Sequence, residues 1–495
     1  MKISLDWIQD FTELPADLSP EEIGTRFTLS TCEVEGVERS GEHLKQISVA
    51  EITAIEAHPE ADKLNLVSFK TPEGEKRVVC GAPNVEVGLK VPFAPVGTTL
   101  PIGFTLEPKK IRGVMSEGML CAEDELGLGE GHEGLMVLDK DAEIGQSMAE
   151  YLGTRTDVLL EIDNKSITHR PDLWGHYGMA REFAAVFGKP LKKPFDDAWT
   201  AGMKELLNGQ KSPVTIEVQE GCACLGYLGL SVDNISIKPS PKWMQDRLLA
   251  CGLRPINNIV DISNYVMLEL GQPNHIFDRD TIRGGKIIVR EMGEEAVFTT
   301  LDEVERDIVP SDTMVCDAEG PSVIGGIMGG LDSSVKDETS RIFIEAANWI
   351  DVRIRHTSTR LGLRTDSSQR YEKSLDTNGL ERSVLRILEL ILESCPEAQV
   401  VGTIESDGMK YTPDLIIDLD PARVNSILGT SLDSQEITRC LEALDFKVEA
   451  GKGDEDLLRV TVPSFRATKD IEVDADLIEA VSYTHLRAHE TEADL

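Results

Sequence analysis

Leu253–Asp278 reads LRPINNIVDISNYVMLELGQPNHIFD. Ile256, Ile259, Val260, Met267 and Leu270, with Ser263 among them, follow the spacing of one helical face, and Gly271 and Pro273 are placed to stop the helix. The other face carries Asn257, Asp261 and Asn264, and no Lys, Arg or Glu occurs between Pro255 and Leu268. A solvated helix face is normally rich in those charges, and Asn, Asp, Ser and β-branched residues are poor helix formers, so something other than local propensity sets these choices. Two readings of the stripe stand: a wall of neutral hydrogen-bonding groups that orients a polar ligand, or a buried asparagine network that joins two layers. Past the helix stop, His275 falls in a short extended segment.

A chain of 495 residues is too long for one core and should divide into roughly three to five domains. It is 41% hydrophobic, has no apolar run of membrane-spanning length, and lacks an apolar h-region after Met1-Lys2-Ile3-Ser4, so a soluble chain without a secretory signal is expected. Nine scattered cysteines fit the reducing cytosol, and Cys222-Ala223-Cys224 has neither the spacing nor a partner pair for zinc. The net charge of −37 argues against nucleic-acid binding by bulk electrostatics, so any RNA contact has to be local or shared with another chain.

Outward from the opening stretch, residues 1–38 hold Leu5-Asp6-Trp7-Ile8 and a helix begun by Ser19-Pro20-Glu21-Glu22, which reads as packing only. Residues 39–150 change to short β-rich runs near Ile47, Leu64, Arg77 and Val91, with Thr71-Pro72-Glu73-Gly74 as a turn, which suggests a small barrel. In residues 151–205, His169 and His176 straddle a Pro-Gly turn with no acid pair nearby, so capping or packing suits them better than a metal. Within 206–400, the Gly325-Gly326 and Gly329-Gly330 pairs flank apolar residues and fit either a pocket wall or tight sheet packing. Glu345 follows the apolar run Ile342-Phe343-Ile344; a buried acid needs a partner, so it is either paired with an arginine or kept for a ligand hydroxyl. Residues 405–479 give helices at Pro421–Gly429 and Ser434–Phe446 and a strand from Leu458, a small α/β module.

These segments resemble one family. RPINNIVDISNYVMLELGQPNHIFD is similar to the editing-domain signature of the bacterial phenylalanyl-tRNA synthetase β subunit, and Arg360–Lys373 and Asp474–Glu479 match its later blocks. His58–Leu64, Cys80–Asn84 and Lys109–Cys121 resemble the OB-type tRNA-binding module of several synthetases, although Lys and Arg number 9 against 15 Asp and Glu over residues 46–140. Fold retention with weak RNA binding is therefore the competing reading of that module. Ser263, Ser367 and Lys373-Ser374 depart from the residues usual in relatives, and the resemblance ends at residue 479. Residues 480–495 look foreign to the family, with the catalytic-like domain missing.

The resemblance implies a multidomain α+β chain with an OB-type β-barrel, an α/β editing-type domain and a small α/β module, in which residues 1–38 pack with 151–205. It implies cytoplasmic work beside an α subunit in an α2β2 tetramer that charges tRNA(Phe) using ATP and Mg²⁺. No phosphate loop or class II arginine motif is present to supply that chemistry in this chain. A phenylalanine pocket rejects an added hydroxyl by only about a hundredfold, so a second site is needed to hydrolyse tyrosyl-tRNA(Phe). The resemblance places that site on Ser263, Asn264, His275 and Thr365 for hydrolysis, with Glu345 and Gly326 for substrate binding. It also places Mg²⁺ on Asp470, Asp476 and Glu479, with Ala480 where a fourth ligand is expected; an acidic helix start is the plain alternative. A non-catalytic scaffold docking tRNA and α is the competing function.

Overall fold

The computed structural model describes residues 1–101, 103–129, 131–153, 156–451 and 457–490. The chain forms two compact units, one of residues 38–159 and one made from residues 1–37 together with the chain from 160 onward. The architecture is α+β, with several separate sheets. Among the described residues no helix is long and apolar enough to cross a membrane.

In the larger unit, Ser4 caps α1 (Leu5–Ile8) and Ser19 closes a capping box with Glu22 at the start of α2 (Pro20–Ser30). The smaller unit carries an antiparallel sheet of β1 (Ser48–Ala57), β2 (Asn65–Thr71), β3 (Gly74–Cys80), β4 (Lys90–Pro95) and β5 (Gly118–Leu120), in the order β5-β4-β1-β2-β3. Alternation along β1 sends Ala50 and Ile52 into one apolar cluster with Val67, Phe69 and Phe93, and Val49 into another with Ala94 and Cys121. Both faces of this sheet are therefore covered.

The larger unit resumes with α3 (His176–Val186), β6 (Thr215–Val218), β7 (Cys224–Asp233), α4 (Asn258–Leu270), β8 (Asn274–Asp278), β9 (Lys286–Glu291), β10 (Thr313–Cys316), β11 (Pro321–Ile324), β12 (Met328–Gly329), β13 (Arg341–Trp349), α5 (Asp366–Tyr371), α6 (Leu380–Ser394) and β14 (Gln399–Asp407). Two sheets result, of orders β8-β13-β7-β14 and β6-β9-β10-β11-β12. Tyr227, Phe277, Phe343, Ala347 and Trp349 from the first share a buried cluster with Ile287, Val289, Met314, Val315 and Ile324 from the second. The second sheet thus covers that face of the first, and α6 packs across β7 and β13.

The opening stretch forms its helix, but with a different buried side. Asn257 is the N-cap, accepting from the Ile259 and Val260 amides, and Gly271 ends the helix in the left-handed region at φ 74°. Ile256 precedes the helix and is 67% exposed, whereas Ile262, Tyr265 and Val266 are buried. Tyr265 stacks on Trp7 at 4.3 Å and Trp7 on His176 at 4.0 Å, contacts worth roughly 0.5–1.5 kcal/mol each beyond their area. His176 Nδ1 also lies 2.8 Å from the Leu268 carbonyl oxygen, so this histidine packs and positions α4.

The chain then forms β15 (Leu415–Leu419), α7 (Pro421–Leu428), α8 (Ser434–Glu442), β16 (Lys447–Ala450), β17 (Leu458–Val462) and α9 (Asp474–Glu490). The strands order β15-β17-β16, and Leu419, Val424, Ile437, Leu441, Val460, Leu477 and Ile478 make the core. Ala480 and Val481 join this core, and the Tyr483 hydroxyl accepts from Arg466 at 3.3 Å, so the segment that looked foreign begins as a packed helical turn. Residues 491–495 lie outside the described ones.

Candidate active site

The polar stripe of α4 divides between the two readings of it. Asn257 is spent on the cap, and Asp261 accepts from the Ser240 hydroxyl and, at 2.7 Å, from the Ile256 amide. Buried Asn258 donates to Ser236 O at 3.1 Å and Ser394 Oγ at 3.0 Å. Asn257 thus caps its own helix while Asn258 and Asp261 tie it to neighbouring segments, which corrects the ligand-wall reading for Asn257 and Asp261. Ser263 and Asn264 lie past them, partly buried. The Asn274 side-chain amide donates to the Ser263 carbonyl at 3.0 Å and ties β8 to the helix. Among the described residues, no hydrogen bond joins the Ser263 or Asn264 side chain to His275 or Glu345.

His275 and Glu345 stand directly opposite each other across β8 and β13, so both side chains lie on the same face of the sheet. That face is the one the second sheet covers. Glu345 is 4% exposed and has no ion pair among the described residues. Its Oε2 accepts a hydrogen bond from the Tyr227 phenol of β7 at 2.7 Å. The partner of this acid is therefore a tyrosine of the chain itself, neither the arginine nor the open position that the sequence suggests. Burial raises the Glu345 carboxyl to about 7, against the lowering effect of the phenol bond. His275 Nε2 is sealed from solvent with no hydrogen-bond partner, the ring meets Phe277 edge-on at 4.4 Å, and burial lowers the imidazole to about 4. At neutral pH the pair is thus a neutral imidazole beside a carboxyl poised between its two states.

Thr365 caps α5, accepting from the Ser368 amide, and its hydroxyl donates to the Ile327 carbonyl at 2.9 Å. This fixes the turn between β11 and β12. Gly326 in that turn has φ 70°, and a Cβ there would lie 2.8 Å from Trp349 Cδ1, so its glycine is demanded by packing and backbone. Further along, a Cβ on Gly329 would come within 3.0 Å of His275 Cε1, so the bare backbone is what admits the imidazole. The structure therefore sets His275 opposite Glu345, ties Thr365 to the turn that contains Gly326, and places Gly329 against His275. Tyr227 was missed; its only trace in the sequence is an aromatic between Gly226 and Gly229 in a strand-like run. Tyr371, whose phenol donates to Pro273 O at 2.8 Å, was missed as well.

Asp470, Asp476 and Glu479 line one cavity of about 200 Å³. Asp470 accepts from Arg466, lies 3.9 Å from Arg170 and 3.8 Å from His169, and Asp476 accepts from the Glu472 and Val473 amides at 2.8 and 2.9 Å. Asp476 thus terminates the loop before α9, as the acidic-helix-start reading has it. Among the described residues no three His, Cys, Asp or Glu side chains stand close enough to hold a metal ion. An arginine already compensates Asp470, so these carboxylates do not fit the expected magnesium cluster.

The B3/4 domain family model matches residues 223–396, a tRNA binding domain model 47–147 and the tRNA synthetase B5 domain model 417–485. The chain is 38% identical to the phenylalanine–tRNA ligase β subunit of Salinibacter ruber over 98% of its length, and 38% identical to that of Solibacter usitatus over 97%. It belongs to the phenylalanine–tRNA ligase β-subunit family. The chain spans 58% and 59% of the length of those two relatives. A solved N-terminal fragment of the phenylalanyl-tRNA synthetase β-subunit from Pyrococcus horikoshii aligns with 66% of this chain at 17% identity and a TM-score of 0.36, too low to support a statement about architecture. Tyr227, His275, Glu345 and Thr365 all fall inside the B3/4 match, and Asp470, Asp476 and Glu479 inside the B5 match.

Proposed function

We propose that this chain acts as the β subunit of a phenylalanine–tRNA ligase and hydrolyses tyrosyl-tRNA(Phe) at the face shared by His275 and Glu345. Charging of tRNA(Phe) with ATP then belongs to an α subunit, in an α2β2 assembly, and residues 47–147 contribute to holding the tRNA. The observation that carries the editing reading is the buried Glu345 without a cation, opposite a histidine whose Nε2 is unpartnered. A carboxylate that accepts a ligand phenol gains a charge-assisted bond, whereas a phenylalanyl group leaves it unmet; this separates the two esters. A neutral His275 is able to orient water toward the ester carbonyl, with Thr365 fixing the adjacent turn and Ser263 and Asn264 near the terminal adenosine.

The scaffold reading is favoured by one observation, that Glu345 is already bonded to Tyr227. Deacylation of tyrosyl- and phenylalanyl-tRNA(Phe) by the purified chain decides between them. In the editing reading tyrosyl-tRNA is cleared faster, Glu345→Ala removes the preference, and His275→Ala slows the hydrolysis itself. A parent chain that clears neither ester faster than buffer leaves the scaffold.

A further inference from the structure

We propose that Tyr227 is a specificity-positioning residue of the face shared by His275 and Glu345: its phenol holds Glu345 through Oε2, so that the other carboxylate oxygen is the one offered to a ligand hydroxyl. The inference rests on the editing reading above. Gly229 stands opposite Glu345 on the neighbouring strand, and the residue two before it, Tyr227, points to the same face and reaches the carboxylate at 2.7 Å. A Cβ on Gly229 would lie 1.9 Å from Phe343 Cζ; this glycine therefore lets the Phe343 ring close over the strand opposite the acid.

The buried acid of α4 shows what a purely structural carboxylate looks like in this unit. Glu269 receives two bonds from Arg386, at 2.7 and 2.9 Å, and its charge is matched. Glu345 receives a neutral donor on one oxygen and no cation, an arrangement that leaves both charge and acceptor capacity for a further donor. Among the described residues the ionisable groups around it are Tyr227 and Cys224 from β7, His275 from β8 and Tyr371 from α5, with no lysine or arginine among them. Tyr371 is committed to Pro273 O, and burial keeps the Cys224 thiol protonated. Among the described residues the Tyr227 phenol is the only hydrogen-bond donor on Glu345.

The test is Tyr227→Phe in the full chain, with deacylation of tyrosyl- and phenylalanyl-tRNA(Phe) measured side by side and KM separated from kcat. Loss of the anchoring bond should lower the tyrosyl-to-phenylalanyl ratio of kcat/KM about tenfold, the usual scale for one bond to a charged group. The infrared band of the protonated Glu345 carboxyl, isolated by difference against Glu345→Gln, should persist to higher pH in Tyr227→Phe, which verifies that the bond is lost; the tyrosyl-to-phenylalanyl ratio is the readout that a merely structural tyrosine would leave unmoved. An unchanged ratio in a parent that discriminates overturns the positioning role and leaves the editing reading intact. A ratio that rises shows that Tyr227 competes with the ligand phenol, and overturns it equally. A parent that clears neither ester refutes the editing reading, and the inference falls with it.

Discussion

Replacing Glu345 by Gln removes the titration of a carboxyl raised from 4.5 to about 7 while keeping an acceptor for Tyr227. Burial favours the protonated form, so the folded state binds this proton more tightly than the unfolded one. The stability it contributes is fully present below about pH 4.5 and is lost as the pH rises through about 7. At about 1.36 kcal/mol per tenfold change in proton affinity, the interval from 4.5 to about 7 corresponds to about 3 kcal/mol. The difference between parent and Glu345→Gln should therefore move by about 3 kcal/mol in favour of the variant between about pH 4.5 and pH 8. A chain of several cores does not unfold in one step, so the measurement is hydrogen exchange of the Arg341–Trp349 amides, corrected for intrinsic rates, in both proteins across that range. A difference that stays flat would mean that Glu345 reaches water or a cation. A drift of opposite sign would refute the assignment of burial as the dominant cause.

His275 should show the mirror image. Its imidazole is lowered from 6.5 to about 4, so its contribution is present above about pH 6.5 and lost as the pH falls through about 4; His275→Gln should flatten the acid limb of Asn274–Asp278 exchange. Gly326→Ala, which meets both a φ of 70° and Trp349 Cδ1 at 2.8 Å, should cost about 2 kcal/mol or more by hydrogen exchange of the surrounding amides, against a few tenths for Gly379→Ala, where a Cβ meets nothing within 4 Å. Asn257→Ala removes the acceptor for two amides at the start of α4 and should cost about 1 kcal/mol, with Asn257→Asp neutral by the same assay. Because Arg466 compensates Asp470, excess Mg²⁺ or EDTA should leave hydrogen exchange of the amides of residues 470–479 unchanged; protection that rises with Mg²⁺ and ceases to do so in Asp476→Ala would restore the metal site.

Local signals were readable wherever one residue or its near neighbours decide the outcome. Ser19 with Glu22, Gly271 after α4 and Gly429 after α7 fix helix ends through their own backbone or a bond three or four residues away, and these stops are where the sequence puts them. The buried side of α4 was less legible, because the spacing of Ile259 and Met267 admits Ile256 as readily as Tyr265, and only the stacking of Trp7 from the first helix chooses. The site was legible as residue types and not as pairs. Glu269 and Glu345 both sit within apolar surroundings, and neither neighbourhood tells which one has its charge matched. The answer depends on α6 bringing Arg386 to the first and on β7 bringing Tyr227 to the second, through a strand register set far from either acid. The distinction that matters chemically lies in those partners: an arginine uses up a carboxylate's charge, and a phenol leaves it available. A search for functional acids in chains of this kind should therefore begin from buried carboxylates whose partner is neutral, and only then ask which histidine stands opposite.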